Sequence, residues 1–117
     1  MKQDFKENLI IDLTFKFALK IIDFCGQLDG MKKFTVSNQL IKAGTSIGAN
    51  VREAQNAESK ADFIHKFKIS AKEAEETEYW LLLCQQSQLL PDTTDLLNEL
   101  LTIKKVITKI IATSKKV

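Results

Sequence analysis

Residues 39–80 read QLIKAGTSIGANVREAQNAESKADFIHKFKISAKEAEETEYW, and this stretch decides the fold. Val36, Leu40, Ala43, Ile47, Val51 and Ala54 recur at three- and four-residue steps, which places them on one face of an α-helix over about 36–55. Thr35 or Ser37 can cap its start. Residues 56–60 are polar and read as a turn, and Ser59 followed by Asp62 has the spacing of a capping box. A longer helix then runs to about 89 or 90. Phe63, Phe67, Ala71, Ala74, Leu81 and Gln85 follow one face, with Ile64, Leu82 and Leu89 beside it. Two amphipathic helices joined by a short turn make a hairpin, expected to be the middle of a bundle.

The first of these helices has a small-residue centre, with Gly44 and Gly48 four residues apart. A glycine inside a helix costs about 1 kcal/mol relative to alanine, so a gain elsewhere must offset it. Two readings stay open: close packing against a neighbouring helix, or a shallow backbone-lined groove for a ligand. Asn50 falls near the inner stripe, where a buried amide would fix register. Glu78 projects inward on the second helix and calls for a partner.

The flanking segments repeat the period. Ile10, Leu13, Phe17, Ile21, Phe24 and Leu28 line one face of a helix over about 4–28, which Gly26, Asp29 and Gly30 are expected to end. Pro91 stops the third helix, and Asp92, Thr93 and Asp95 suit the start of a fourth. Leu96, Leu97, Leu100, Ile103, Ile107, Ile110 and Ile111 form its inner stripe to about 114, with Lys105, Lys109 and Lys116 on the opposite side. Short connections make neighbours antiparallel. The expected architecture is all-α, an antiparallel up-down-up-down four-helix bundle forming a single domain over 1–117.

Composition agrees. With four Gly and one Pro in 117 residues, the chain lacks the turn chemistry of a many-stranded β fold. The 44% apolar and 27% charged fractions are those of an ordinary globular domain. A net charge of +2 is too small to argue nucleic-acid binding by itself. No signal-peptide pattern or membrane-length apolar run is present in the sequence. Cys25 and Cys84 lack metal-type spacing, and two reduced thiols in a cytoplasmic protein are expected.

Two helices carry more apolar surface than one core can take. The first has a second line through Ile11, Phe15, Leu19 and Ile22, and the third adds Ile69, Trp80 and Leu83 with Tyr79 flanking. Burying a large side chain contributes about 1.5–3 kcal/mol, and leaving a cluster of them in water invites aggregation. Ile11, Phe15, Ile22, Ile69, Trp80 and Leu83 are therefore expected at the interface of a homo-oligomer, unless the bundle geometry swallows them.

The residues offer no catalytic, cofactor or metal site. Asp62 and His65 stand three apart on a helix, but a di-iron bundle needs two Glu-x-x-His motifs, and His65 is the sole histidine. Neither cysteine has a recognisable histidine partner, no serine sits in an elbow motif, and the Gly44–Gly48 pair lacks the Lys-Ser/Thr of a phosphate loop. The acids Glu73, Glu75, Glu76 and Glu78 read as a charged helical face. The chain is thus expected to be no enzyme, with no small-molecule substrate evident. Nucleic-acid binding is the function left with support: Lys16, Lys20, Lys105, Lys109 and Lys116, with Lys2, Lys6 and Lys115, can combine into a basic surface, more so in an oligomer. A solvated lysine face is the plain alternative, and a protein-binding scaffold the alternative function.

The pattern QL-x-KAGTSIGANVREA at 39–54, with SKADFIHK at 59–66 and EAEETEYWL at 73–81, resembles a bacterial family. It is the family of four-helix bundle proteins encoded in 23S ribosomal RNA intervening sequences, sometimes labelled ribosomal proteins. The resemblance spans nearly the whole chain. It implies an up-down four-helix bundle and a ring-shaped homopentamer. It also implies kinship with the accessory proteins of diversity-generating retroelements, which work as basic pentamers with a reverse transcriptase and RNA. It brings no catalytic residues. Many members have Glu-Gly after the Asn-Ile/Val segment, where this chain has Arg52-Glu53-Ala54-Gln55, which matches one sub-pattern.

Overall fold

A computed structural model describes residues 5–116, with side chains from Leu9 onward. The chain forms α1 (Phe5–Gly30), α2 (Phe34–Ala54), α3 (Lys60–Gln86) and α4 (Thr94–Lys115). Among the described residues there is no strand. Each helix packs on two neighbours, α1 on α2 and α4, and α3 on α2 and α4, so α1 and α3 lie on one diagonal and α2 and α4 on the other. The bundle measures 47 × 20 × 19 Å, about two helix diameters across.

Cross-helix contacts give the directions. Cys25 pairs with Ser37, and Thr14 meets Gly48, so α1 descends as α2 ascends. Ser70 bonds Ile47 and Lys66 pairs with Glu53 in the same reversed order on α2 and α3. Thr93 reaches Leu81 while Lys104 reaches Glu78 between α3 and α4. Consecutive helices are therefore antiparallel.

The core follows the sequence stripes on α1, α2 and α4. Ile10, Phe17, Ile21 and Leu28 meet Leu40, Ile47 and Val51, and Leu100, Ile103 and Ile107 close the third side, all essentially inaccessible to solvent. Helix α3 is different. Its buried residues are Phe67, Ser70, Ala74, Thr77, Leu81 and Cys84. Ser70 Oγ donates to Ile47 O on α2 at 2.8 Å, and Thr77 Oγ1 to Glu73 O at 2.7 Å. Because those hydroxyls are satisfied, they can be buried with little penalty. Phe63 and Gln85, expected in the core, are only half-buried.

The ends hold several corrections. Helix α1 runs through Gly26 to Gly30, and the left-handed residue is Lys32 (φ 61°), not a glycine. The turn closes with Lys33 N donating to Leu28 O. Helix α2 starts one turn earlier than a Ser37 cap requires. Its N-cap is Lys33 without a side-chain bond, Thr35 is exposed, and Ser37 is buried instead, its Oγ donating to Cys25 O at 3.2 Å. Asn50 fixes no register across helices, since its Nδ2 donates to Ser46 O within α2. Helix α3 ends at Gln86, not at 89 or 90. There Gln85 Oε1 accepts from Thr93 N and Thr93 Oγ1, and Thr93 Oγ1 donates to Leu81 O, which welds α3 to the start of α4. Leu89, beyond the helix, is 70% exposed. Ser59 caps α3 as expected: its Oγ accepts from Asp62 N, while the Asp62 carboxylate reaches back to Glu58 N.

Candidate functional site

Helix rotation sets which side chains face out. On α1, Phe17 and Ile21 point inward, so Ile11, Phe15, Ala18 and Ile22, spaced four, three and four residues apart, fall on the flank beside α2. Phe15 is 55% exposed, Leu19 50% and Ile22 47%. Ile11 is half-buried and packs against the core, so it forms the floor of the face and does not project from it. The small centre of α2 explains how close α1 comes. A Cβ on Gly44 would stand 2.9 Å from both γ carbons of Ile21, and one on Gly48 3.2–3.3 Å from Thr14. Close packing is thus the role of the glycine pair.

The approach leaves a groove of about 230 Å³ on the outer side, lined by Ile11, Phe15, Ala18, Thr45, Ala49 and Arg52, with Thr14 and Gly48 at its base. That is smaller than the ~300–1,000 Å³ of ordinary small-molecule sites. Its hydroxyls are spent within their own helices, Thr14 Oγ1 on Ile10 O and Thr45 Oγ1 on Ile41 O. Arg52 is its charged group, with its guanidinium 6.0 Å from the Phe15 ring centroid. Apart from the two threonines the rest of the lining is apolar, and such a groove suits a side chain from another surface.

On α3 the outward stripe is Ile69, Lys72, Glu76, Tyr79 and Leu83. Tyr79 is 56% exposed and Leu83 39%, while Ile69 is half-buried. Trp80, expected fully outward, turns toward the bundle: it packs against the core and edge-on to Tyr79. Its indole Nε1 is buried with no acceptor. Leu82 on α3 and Leu101 on α4 add exposed apolar surface. Glu78 finds the partner it called for: Lys104 Nζ lies 3.2 Å from Glu78 and 2.7 Å from Glu75. Burial lowers the pKa of Lys104, yet its bonds to Glu75 and Glu78 outweigh that and leave it raised. Lys104 was missed in the sequence because it stands beside the inner stripe and only its neighbour's charge reveals its role.

The basic candidates separate into two groups. Lys16 pairs with Asp12 at 3.0 Å and Lys20 with Glu99 at 2.6 Å. Lys105 and Lys109 on the outer side of α4, and Lys116 just past its end, are exposed without an acidic partner among the described residues. Lys2 and the side chain of Lys6 lie outside the described residues. His65 is exposed. Among the described residues no three metal-ligating side chains converge, and no helix is long and apolar enough to cross a membrane. Cys25 and Cys84 are free and buried, and burial pushes both thiols up from 9.0.

Residues 6–109 match the family model described as 23S rRNA-intervening sequence protein. Among solved structures, the chain is similar to a protein with unknown function from the S23 ribosomal protein family of Bacteroides thetaiotaomicron VPI-5482. The two share 40% sequence identity over 92% of this chain and 98% of that one, with a TM-score of 0.86. No curated protein matches this chain.

Proposed function

The chain belongs to the 23S rRNA-intervening sequence protein family, and from that premise we propose that it is a non-enzymatic, self-assembling bundle that presents lysines of α4 to RNA or a ribonucleoprotein in the cytoplasm. The carrying observation is the set Lys105 and Lys109 on the outer side of α4 and Lys116 just past its end, all exposed and unpaired among the described residues. These cations are free to release counterions from phosphates, whereas Lys16 and Lys20 are held by acids. Self-assembly is supported by the exposure of Phe15, Leu19, Ile22, Tyr79 and Leu83. A copy number of five is what the family resemblance implies. Repetition around a ring would multiply a modest lysine row into a surface with many phosphate contacts, which a net charge of +2 per chain does not provide alone.

Fluorescence anisotropy with a labelled structured RNA hairpin tests this reading. Affinity should fall steeply between 50 and 200 mM salt, as expected when several phosphate contacts form, on the order of tenfold or more. Lys105→Glu with Lys109→Glu should weaken binding and flatten the salt slope. Absence of binding, or binding indifferent to salt, would refute it. The ion pairs that occupy Lys16, Lys20 and Lys104 favour a second reading, a scaffold that binds protein alone. A pull-down that recovers one protein and survives nuclease treatment would support that second reading.

A further inference from the structure

Charge divides the second helical hairpin into two halves. Residues 60–72 hold four lysines and one acid, Asp62, and residues 100–116 hold five lysines and no acid. Between them, residues 73–99 hold seven acids and neither lysine nor arginine. The acidic block separates the two basic ones along the chain, but the fold reunites them. Helices α3 and α4 are antiparallel, so the start of α3 lies beside the end of α4. The hairpin is therefore basic at its open end and acidic at the end closed by residues 87–93.

Helical spacing places the cations. Glu75 and Glu78 reach Lys104 across the α3–α4 seam. Lys68 stands seven residues before Glu75 and Lys115 eleven after Lys104, so each returns to the seam side of its own helix. At 1.5 Å per residue the two lie within about one helical turn of each other in height. Lys72 and Lys105 stand on the outer shoulders of α3 and α4, and Lys109 and Lys116 extend the surface toward the open end. All six are exposed, and none has an ion-pair partner among the described residues. Lys66 and Lys104 are held by Glu53, Glu75 and Glu78, and the Asp62 carboxylate is engaged at the start of α3. The open end thus offers a field of free cations with no free acid among them.

The same surface is poor in rings. The exposed phenyl and phenol rings are Phe15 on α1, Phe34 at the start of α2 and Tyr79 in the acidic half of α3. Phe63 is half-buried against Phe67, and His65 supplies one imidazole at the α3 shoulder. Single strands are held by cations together with a row of rings on which successive bases stack. A double helix keeps its bases stacked inside and is held through phosphates and shape.

We infer that the open end of the α3–α4 hairpin is a docking surface for double-stranded RNA, with Lys68 and Lys115 at the seam and Lys72 and Lys105 on the shoulders gripping its phosphates. This rests on the RNA reading proposed above, adds α3 to the surface and assigns it a duplex. The acidic half of the hairpin repels phosphate and so bounds the footprint at the open end.

Fluorescence anisotropy with a labelled RNA duplex, and with one of its strands alone in a sequence that does not self-pair, tests the assignment. At matched salt the duplex should bind about tenfold tighter or more. Lys68→Glu with Lys115→Glu should weaken duplex binding about tenfold or more and lower the salt slope by about two, since each phosphate contact contributes about one. Lys68→Gln with Lys115→Gln, which neutralises without reversing charge, should give a smaller loss in the same direction. Lys42→Glu, at an exposed position on α2, should leave binding unchanged. Circular dichroism checks that each variant stays helical. A single strand bound as tightly as the duplex would overturn the duplex assignment and leave RNA binding standing. Loss of binding on Lys105→Glu with Lys109→Glu, but none on Lys68→Glu with Lys115→Glu, would overturn the part given to α3 and the seam. No binding to either RNA would overturn the RNA reading itself.

Discussion

Replacing Gly44 by Ala should destabilise the protein although it removes a helix-breaking residue. The intrinsic gain is about 1 kcal/mol, because alanine is the better helix former. The opposing steric cost comes from Ile21. The new methyl would lie 2.9 Å from Cγ1 and Cγ2 and 3.3 Å from Cβ, where ordinary contact begins at 3.4 Å. Ile21 is fully buried and β-branched, so within a helix it has essentially one rotamer and cannot turn aside. Either α1 and α2 separate or Ile21 strains, and overpacking of this kind costs about 1–3 kcal/mol. With a rigid neighbour the upper half of that range applies, and the net loss is about 1–2 kcal/mol. Gly26→Ala is the matched control. It lies inside α1 with nothing within 4 Å of the added carbon, so it should stabilise by about 0.5–1 kcal/mol. Urea denaturation, followed by circular dichroism and by the fluorescence of Trp80 at two protein concentrations, measures both variants and separates folding from association. Ile21→Ala removes the opposing γ carbons. Combined with Gly44→Ala it should therefore cost less than the sum of the two single changes. A Gly44→Ala variant as stable as wild type would refute the close-packing account of α2.

Two further outcomes follow from the turn and from buried ionisable groups. Lys32→Gly should raise thermal stability by about 1 kcal/mol, since a side chain at φ 61° is strained and a glycine there is not; an unchanged or lowered melting temperature would contradict this. Under reducing conditions, stability should hold from neutral pH to about 9.0 and then decline, because burial raises the Cys25 and Cys84 thiols above that value. The sign is set by linkage: above 9.0 the unfolded chain loses thiol protons that the folded chain keeps, so rising pH favours unfolding. Lys104, raised above 10.5 by Glu75 and Glu78 against the effect of burial, adds a further loss as pH passes its folded value. Cys25→Ala with Cys84→Ala should abolish the first part of that decline, and chemical denaturation at a series of pH values reads both.

Helix count, antiparallel order and the core of three helices were legible in the order of residues. Phe17, Ile21, Leu40, Ile47, Leu100 and Ile107 are branched or aromatic side chains repeating at 3.6-residue period, and burial of such a stripe leaves a helix one orientation. The glycine pair was readable as a close-packing device because two glycines in one helix have a cost that some contact must offset. The second apolar faces of α1 and α3 were likewise legible as surplus. The rotation of α3, and everything that depends on it, came from packing against the other helices. Helical spacing placed Gln85 inside and Trp80 outside, while the fold buries Ser70, Thr77 and Cys84 and draws Trp80 partly in. A serine is polar in the sequence, yet once Ile47 O on α2 accepts its proton it can be buried like an apolar residue. The same holds for the charges. Lys16, Lys20 and Lys105 look alike in the chain, but only packing brings Glu99 beside Lys20 and leaves Lys105 without a partner among the described residues. Hydrogen bonds and ion pairs between helices depend on which groups the fold brings within about 3 Å, and helical periodicity, which reports only the direction of a side chain around its own axis, carries no information about that.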